Sequence, residues 1–84
     1  MSVRVSVRYF AGAAAVAGVT EERLVLDGPL TATGLREELA SRRPALVPVL
    51  GVATLLLDEV AVRDPSVAVR DGASVDVLPP FAGG

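Results

Sequence analysis

The sequence predicts an α+β domain, a mixed sheet of about five strands packed on one main helix with a short additional helix. Three observations carry this. Ser2–Phe10, SVRVSVRYF, alternates apolar and polar residues with the period of a half-buried strand. Leu30–Arg43 is the one long helical stretch, with Leu35 and Leu39 four apart on the face that would cover a sheet. The remainder breaks into short apolar runs between turn dipeptides and closes on a patterned strand, Val75–Leu78.

In the first strand Val3, Val5, Val7 and Tyr9 face one way. Ser2, Arg4, Ser6, Arg8 and Phe10 face the other, so Phe10 is an aromatic on the polar face. Ala11–Gly18, AGAAAVAG, reads as a short helix closed by Gly18. Thr20–Asp27 is a second strand with Leu24 and Leu26 on one face, and Asp27-Gly28-Pro29 is a turn. In the main helix Thr31 is the N-cap, and Leu30 with Leu35 forms a hydrophobic staple. Gly34 costs roughly 1 kcal/mol relative to alanine there, and Pro44 stops the helix. Pro44–Gly51, PALVPVLG, reads as an apolar loop. Val52–Leu57 is a third strand, turned at Asp58-Glu59 into Val60–Arg63. Asp64-Pro65 and Asp71-Gly72 are turns around a brief extended piece, Val67–Val69. In the last strand Val75 and Val77 point inward, Asp76 and Leu78 outward. This order is that of a β-grasp: residues 1–78 form the domain and 79–84 an extended tail.

Composition narrows the chemistry. The 84 residues hold no cysteine, histidine, tryptophan or lysine. A disulfide, a thiolate nucleophile and the commonest general base are therefore absent. Eight arginines and ten acids leave a net charge of −2, spread along the length. No basic run with interleaved aromatics marks a nucleic-acid surface. No apolar run reaches a membrane span and no signal peptide is visible, so the expected address is the cytoplasm. Without lysine, only the N-terminal amine could accept an acyl group. Phosphate-loop, dinucleotide and nucleophile-elbow motifs are missing. Glu21-Glu22, Glu37-Glu38 and Asp58-Glu59 read as solvated acids rather than a metal site, and Arg42-Arg43 as helix-end charges. No metal site is expected.

Two features remain. Phe10 and Leu78 are apolar and out of phase with their own strands. If the first and last strands are neighbours, both lie on one exposed face beside the tail, where Ala61 or Val60 could extend a partner-binding patch. The second feature is the tail, Pro79-Pro80-Phe81-Ala82-Gly83-Gly84. The prolines end sheet pairing and favour a stiff extended path. Phe81 is an apolar anchor, and Ala82, Gly83 and Gly84 taper to nothing. The segment reaches roughly 18–20 Å, suiting insertion into a narrow channel. Its tip carries one functional group, the Gly84 carboxylate. A partner using ATP and Mg²⁺ could activate it as an acyl-adenylate, and sulfur transfer would then leave a nucleophilic thiocarboxylate. A frayed terminus that happens to read Gly-Gly is the plain alternative.

VRDGASVDVLPPFAGG (Val69–Gly84) closely resembles the ending of the MoaD/ThiS family of ubiquitin-like sulfur carriers, above all the small subunits of molybdopterin synthase. VRVSVRYFAGAAAVAGVTEERL and LTATGLREELASRRP are similar to the family's first strand, short helix and main helix, so the resemblance spans the chain. It implies a ubiquitin-like β-grasp with no catalytic site of its own. It further implies adenylation of Gly84 by a ubiquitin-activating-like adenylyltransferase and conversion to a thiocarboxylate with a sulfurtransferase as sulfur source. The tail would enter the large synthase subunit, in a heterotetramer, and give sulfur to cyclic pyranopterin monophosphate for molybdenum cofactor biosynthesis. The family's contact face maps onto Phe10, Ala61 and Leu78. The chain would bind no cofactor; ATP and Mg²⁺ would belong to the activating partner. Leu78 stands where the family often has an aromatic, and Asp58-Glu59 lacks a frequent glycine. Carriers for thiamine, cysteine or specialised-metabolite synthesis, a ubiquitin-like protein modifier, and a plain interaction module with an inert end remain as alternatives.

Overall fold

A computed structural model of the chain describes residues 1–80. Among these, five strands form the main sheet: β1 (Ser2–Tyr9), β2 (Glu21–Asp27), β4 (Thr54–Leu57), β5 (Val60–Ala61) and β7 (Ala73–Leu78), in the order β2-β1-β7-β4-β5. β1 and β7 run parallel, and every other neighbouring pair is antiparallel. A separate ladder joins β3 (Leu30–Thr31) to β6 (Ala68–Val69). The helices are α1 (Gly12–Ala17), α2 (Ala32–Arg42) and α3 (Val47–Leu50).

The alternation of β1 holds along its whole length. Val3, Val5, Val7 and Tyr9 are buried and the residues between them exposed. They meet Leu26, Leu55, Val75 and Val77 from the sheet and Leu35 and Leu39 from α2 in one core. Each such side chain contributes about 1.5–3 kcal/mol on burial, an upper figure because the unfolded chain already hides some of it. Thr31 caps α2 by accepting a hydrogen bond from the Gly34 amide at 3.1 Å. Leu30 and Leu35 are both buried, as a staple requires. Gly18 closes α1 in the left-handed conformation, its amide donating to the Ala14 carbonyl.

Four expectations change. Pro44–Gly51 is not a loop: Pro44–Leu46 is a single 3-10 turn that runs into α3. Proline suits the first turn of each piece. The spacing of Leu46 and Leu50 then buries both in the core. Arg36 of α2 donates to the Leu50 and Ala53 carbonyls and satisfies the end of α3. Second, the strand after the Asp58-Glu59 turn is Val60–Ala61 rather than Val60–Arg63, with one further bond from the Val62 amide to the Leu55 carbonyl at 2.8 Å. Third, β1 ends at Tyr9, and Phe10 lies just beyond it. Fourth, Asp76 is on the outer face but buried, at 5% exposure. It sits on the central strand between Arg8 of β1 and Leu56 of β4, and both neighbours cover it. A single-strand pattern carries no information about flanking strands.

Candidate docking face and tail root

The parallel register of β1 and β7 places Tyr9 beside Val77. One step on, the Phe10 amide donates to the Val77 carbonyl at 3.2 Å, so Phe10 and Leu78 emerge together at the same end of the sheet. Leu78 pairs with Thr54 of β4. Ala61 pairs with Leu56, which pairs with Asp76, putting these residues on the outer face with Arg8. Phe10, Leu56, Ala61 and Leu78 are all half-buried. Between Ala61 and Val60 the register selects Ala61, since Val60 pairs with the opposite-facing Leu57. Leu56 is absent from the patch expected from sequence, although alternation through Thr54–Leu57 sends it outward with Thr54.

Two polar contacts shape this face. Arg8 donates from Nε to Asp76 Oδ1 at 2.8 Å and from Nη2 to Oδ2 at 3.0 Å, a bidentate pair. The same guanidinium lies 5.5 Å from the centre of the Phe10 ring, within cation–π range. Just after Phe10, Ala11 holds φ 49° and ψ −125°, a conformation costly for a residue with a Cβ. This bend carries the chain from β1 into α1 and ends the strand at the aromatic.

Beyond Leu78, Pro79 is half-buried and Pro80 exposed. Pro79 has no amide proton, so the ladder cannot extend past Leu78. Phe81, Ala82, Gly83 and Gly84 lie outside the described residues.

Behind the face, Glu22 does not read as a solvated acid. It accepts from the Tyr9 hydroxyl at 2.5 Å and from Arg43 Nε and Nη2 at 2.9 and 3.1 Å. Arg43 Nη1 also reaches the Ala17 carbonyl at 2.7 Å, so one network ties β1, β2, α1 and the end of α2. Arg43 and, less strongly, Tyr9 hold the Glu22 carboxyl below its usual range against the opposing effect of burial. Burial first, and then the bond to Glu22, push the Tyr9 phenol well above its usual range. Tyr9 and Glu22 are thirteen positions apart in sequence, and only the β1–β2 pairing brings them together.

An opening of about 270 Å³ lies toward the other end of β7, among Leu57, Val60, Ala61, Val62, Val69 and Ala73. It is remote from the tail root. Among the described residues no group of three or more acidic side chains is placed to hold a metal ion. Among the same residues no helix is long and apolar enough to cross a membrane.

A five-stranded mixed sheet with β1 and β7 parallel at its centre and α2 across one face defines a ubiquitin-like β-grasp protein. The chain belongs to the ThiS family, whose profile matches residues 7–84. It is 31% identical over 83 residues to the molybdopterin synthase sulfur carrier subunit of Chlamydomonas reinhardtii, covering 98% of this chain and 100% of that protein. Its fold superimposes on the putative molybdopterin converting factor subunit 1 of Pyrococcus furiosus with a TM-score of 0.84, at 27% identity over 93% of this chain and 98% of that one. It also superimposes on SAMP1 of Haloferax volcanii with a TM-score of 0.82, at 26% identity over 96% and 99% of the two chains.

Proposed function

We propose that this chain is a sulfur carrier acting as the non-catalytic small subunit of a molybdopterin synthase. The observation that carries the reading is the meeting of Phe10 and Leu78 at the root of Pro79-Pro80. Two apolar residues from distant parts of the sequence, each out of phase with its own strand, form one face beside the tail. The likeness to the Chlamydomonas reinhardtii carrier subunit supports the same reading.

In this mechanism an adenylyltransferase using ATP and Mg²⁺ converts the Gly84 carboxylate to an acyl-adenylate and releases pyrophosphate. A sulfurtransferase persulfide displaces AMP to give an acyl disulfide, which a thiol reductant cleaves to leave a thiocarboxylate. The outer face, through Phe10, Leu56, Ala61 and Leu78, docks on the large synthase subunit. Pro79 and Pro80 direct Phe81 and Ala82 into its channel, and Gly83 and Gly84 fit where a side chain would clash. The thiocarboxylate then gives its sulfur to cyclic pyranopterin monophosphate. The carrier needs no base or metal of its own, since both partners supply the chemistry.

The likeness to SAMP1 favours a second reading, a protein modifier that shares the activation step and differs in the acceptor. Intact-mass measurement after incubation with the activating enzyme, ATP and a sulfur source tests both. Replacement of one oxygen by sulfur at Gly84 supports the carrier. Isopeptide adducts on other proteins support the modifier, and an unchanged mass overturns both.

A further inference from the structure

We propose that Arg8 is a specificity-determining residue of the docking face, offering its third guanidinium nitrogen to a hydrogen-bond acceptor on the partner. The inference rests on the docking reading above. Arg8 lies between the face's aromatic and its buried carboxylate: the Phe10 ring is 5.5 Å away, and Asp76 takes Nε and Nη2. The Asp76 side chain is 8% exposed, whereas that of Arg8 is 48% exposed. Arg8 is thus a half-exposed side chain with one nitrogen, Nη1, that Asp76 does not use. Among the described residues Nη1 has no acceptor, and Glu21, opposite on β2, makes no ion pair with Arg8.

The fork fixes where that nitrogen points, because a guanidinium is planar and two of its nitrogens are held. Its ordering cost is met in the free protein, so little is added on binding. Docking over Phe10, Leu56 and Leu78 removes water from the Arg8 head. A partner with a carboxylate or main-chain carbonyl at that point gains a charge-assisted bond, and one without it leaves donors buried and unpaired. A purely apolar complement to the face is thereby rejected.

The test titrates the purified large synthase subunit with the wild-type chain, Phe10→Asp, Arg8→Lys and the double variant Arg8→Met/Asp76→Leu, at low and high salt. The double variant removes both charges together and so avoids leaving a buried carboxylate unpaired. It should melt near the wild type yet bind about ten- to a hundredfold more weakly. Arg8→Lys keeps Asp76 paired and the fold secure, but lacks the third nitrogen, and should show a comparable loss. A loss that shrinks at high salt identifies a carboxylate acceptor, and one independent of salt a carbonyl. Wild-type affinity in Arg8→Lys, or in a folded double variant, overturns the role of Arg8 while a weakened Phe10→Asp leaves the docking face standing. Wild-type affinity in Phe10→Asp overturns the docking reading and this inference with it.

Discussion

The amide of Phe10, just past the end of β1, donates to the carbonyl of Val77, the penultimate residue of β7, at 3.2 Å. This bond ties the backbone of Phe10 to the strand that leads into Pro79. Phe10→Asp should therefore weaken binding to the large synthase subunit by about a hundredfold, the effect of removing a central aromatic anchor. Because Phe10 lies outside the core, the melting temperature should stay near that of the wild type. Calorimetric titration and thermal melting check the two halves separately.

Removing Gly84 should abolish sulfur acceptance and leave the domain folded. The ladder of β7 ends at Leu78, so no described strand pairing depends on the terminal residue. Mass spectrometry with the activating system reads the first effect and circular dichroism the second.

Glu22 and Tyr9 should set opposite limbs of the pH–stability curve. The Glu22 carboxyl lies below its ordinary value in the fold. Its contribution is complete above the unfolded pKa and is lost as pH falls through the folded one. Glu22→Gln should cost about 2 kcal/mol at neutral pH, and the difference should shrink on acidification. The Tyr9 phenol is raised, so stability should fall as pH rises past the unfolded value of about 10. Tyr9→Phe should flatten that alkaline decline. Denaturant titrations across the pH range measure both.

Gly28→Ala should destabilise the domain by about 1–3 kcal/mol, the cost of overpacking. A Cβ at Gly28 would stand 2.7 Å from Val3 Cγ2, and Val3 is buried in the core. Urea unfolding would show the shift in midpoint.

Ala11→Gly and Glu59→Gly should each stabilise by about 0.5–1 kcal/mol, since φ of 49° and 71° place a Cβ in a crowded conformation. The two sites lie in separate turns, so the gains should add in the double variant. Melting curves of the three variants check this.

Strand phase in β1, the N-cap at Thr31, the staple and the turn at Asp71-Gly72 were legible because each rests on neighbours within a few residues. The outward placement of Phe10 and Leu78 was legible for the same reason. Leu56 was open to the same reasoning, yet its place in the patch comes from pairing with Asp76 and Ala61. Pro44–Gly51 misled because its prolines read as breakers, whereas each begins a helical turn that drives Leu46 and Leu50 inward.

The sequence by itself determined the class of fold, the faces of its strands, and a composition without cysteine, histidine or lysine. These rest on local periodicity and residue chemistry, which do not depend on the neighbours across the sheet. Tertiary structure alone decided that β7 lies between β1 and β4. That order buries Asp76 under Arg8 and makes one surface of Phe10, Leu56, Ala61 and Leu78, while the pairing of β2 with β1 brings Glu22 to Tyr9 and Arg43. The physical reason is that strand order is fixed by the packing of whole elements, and cross-strand contacts exist only once that packing is complete.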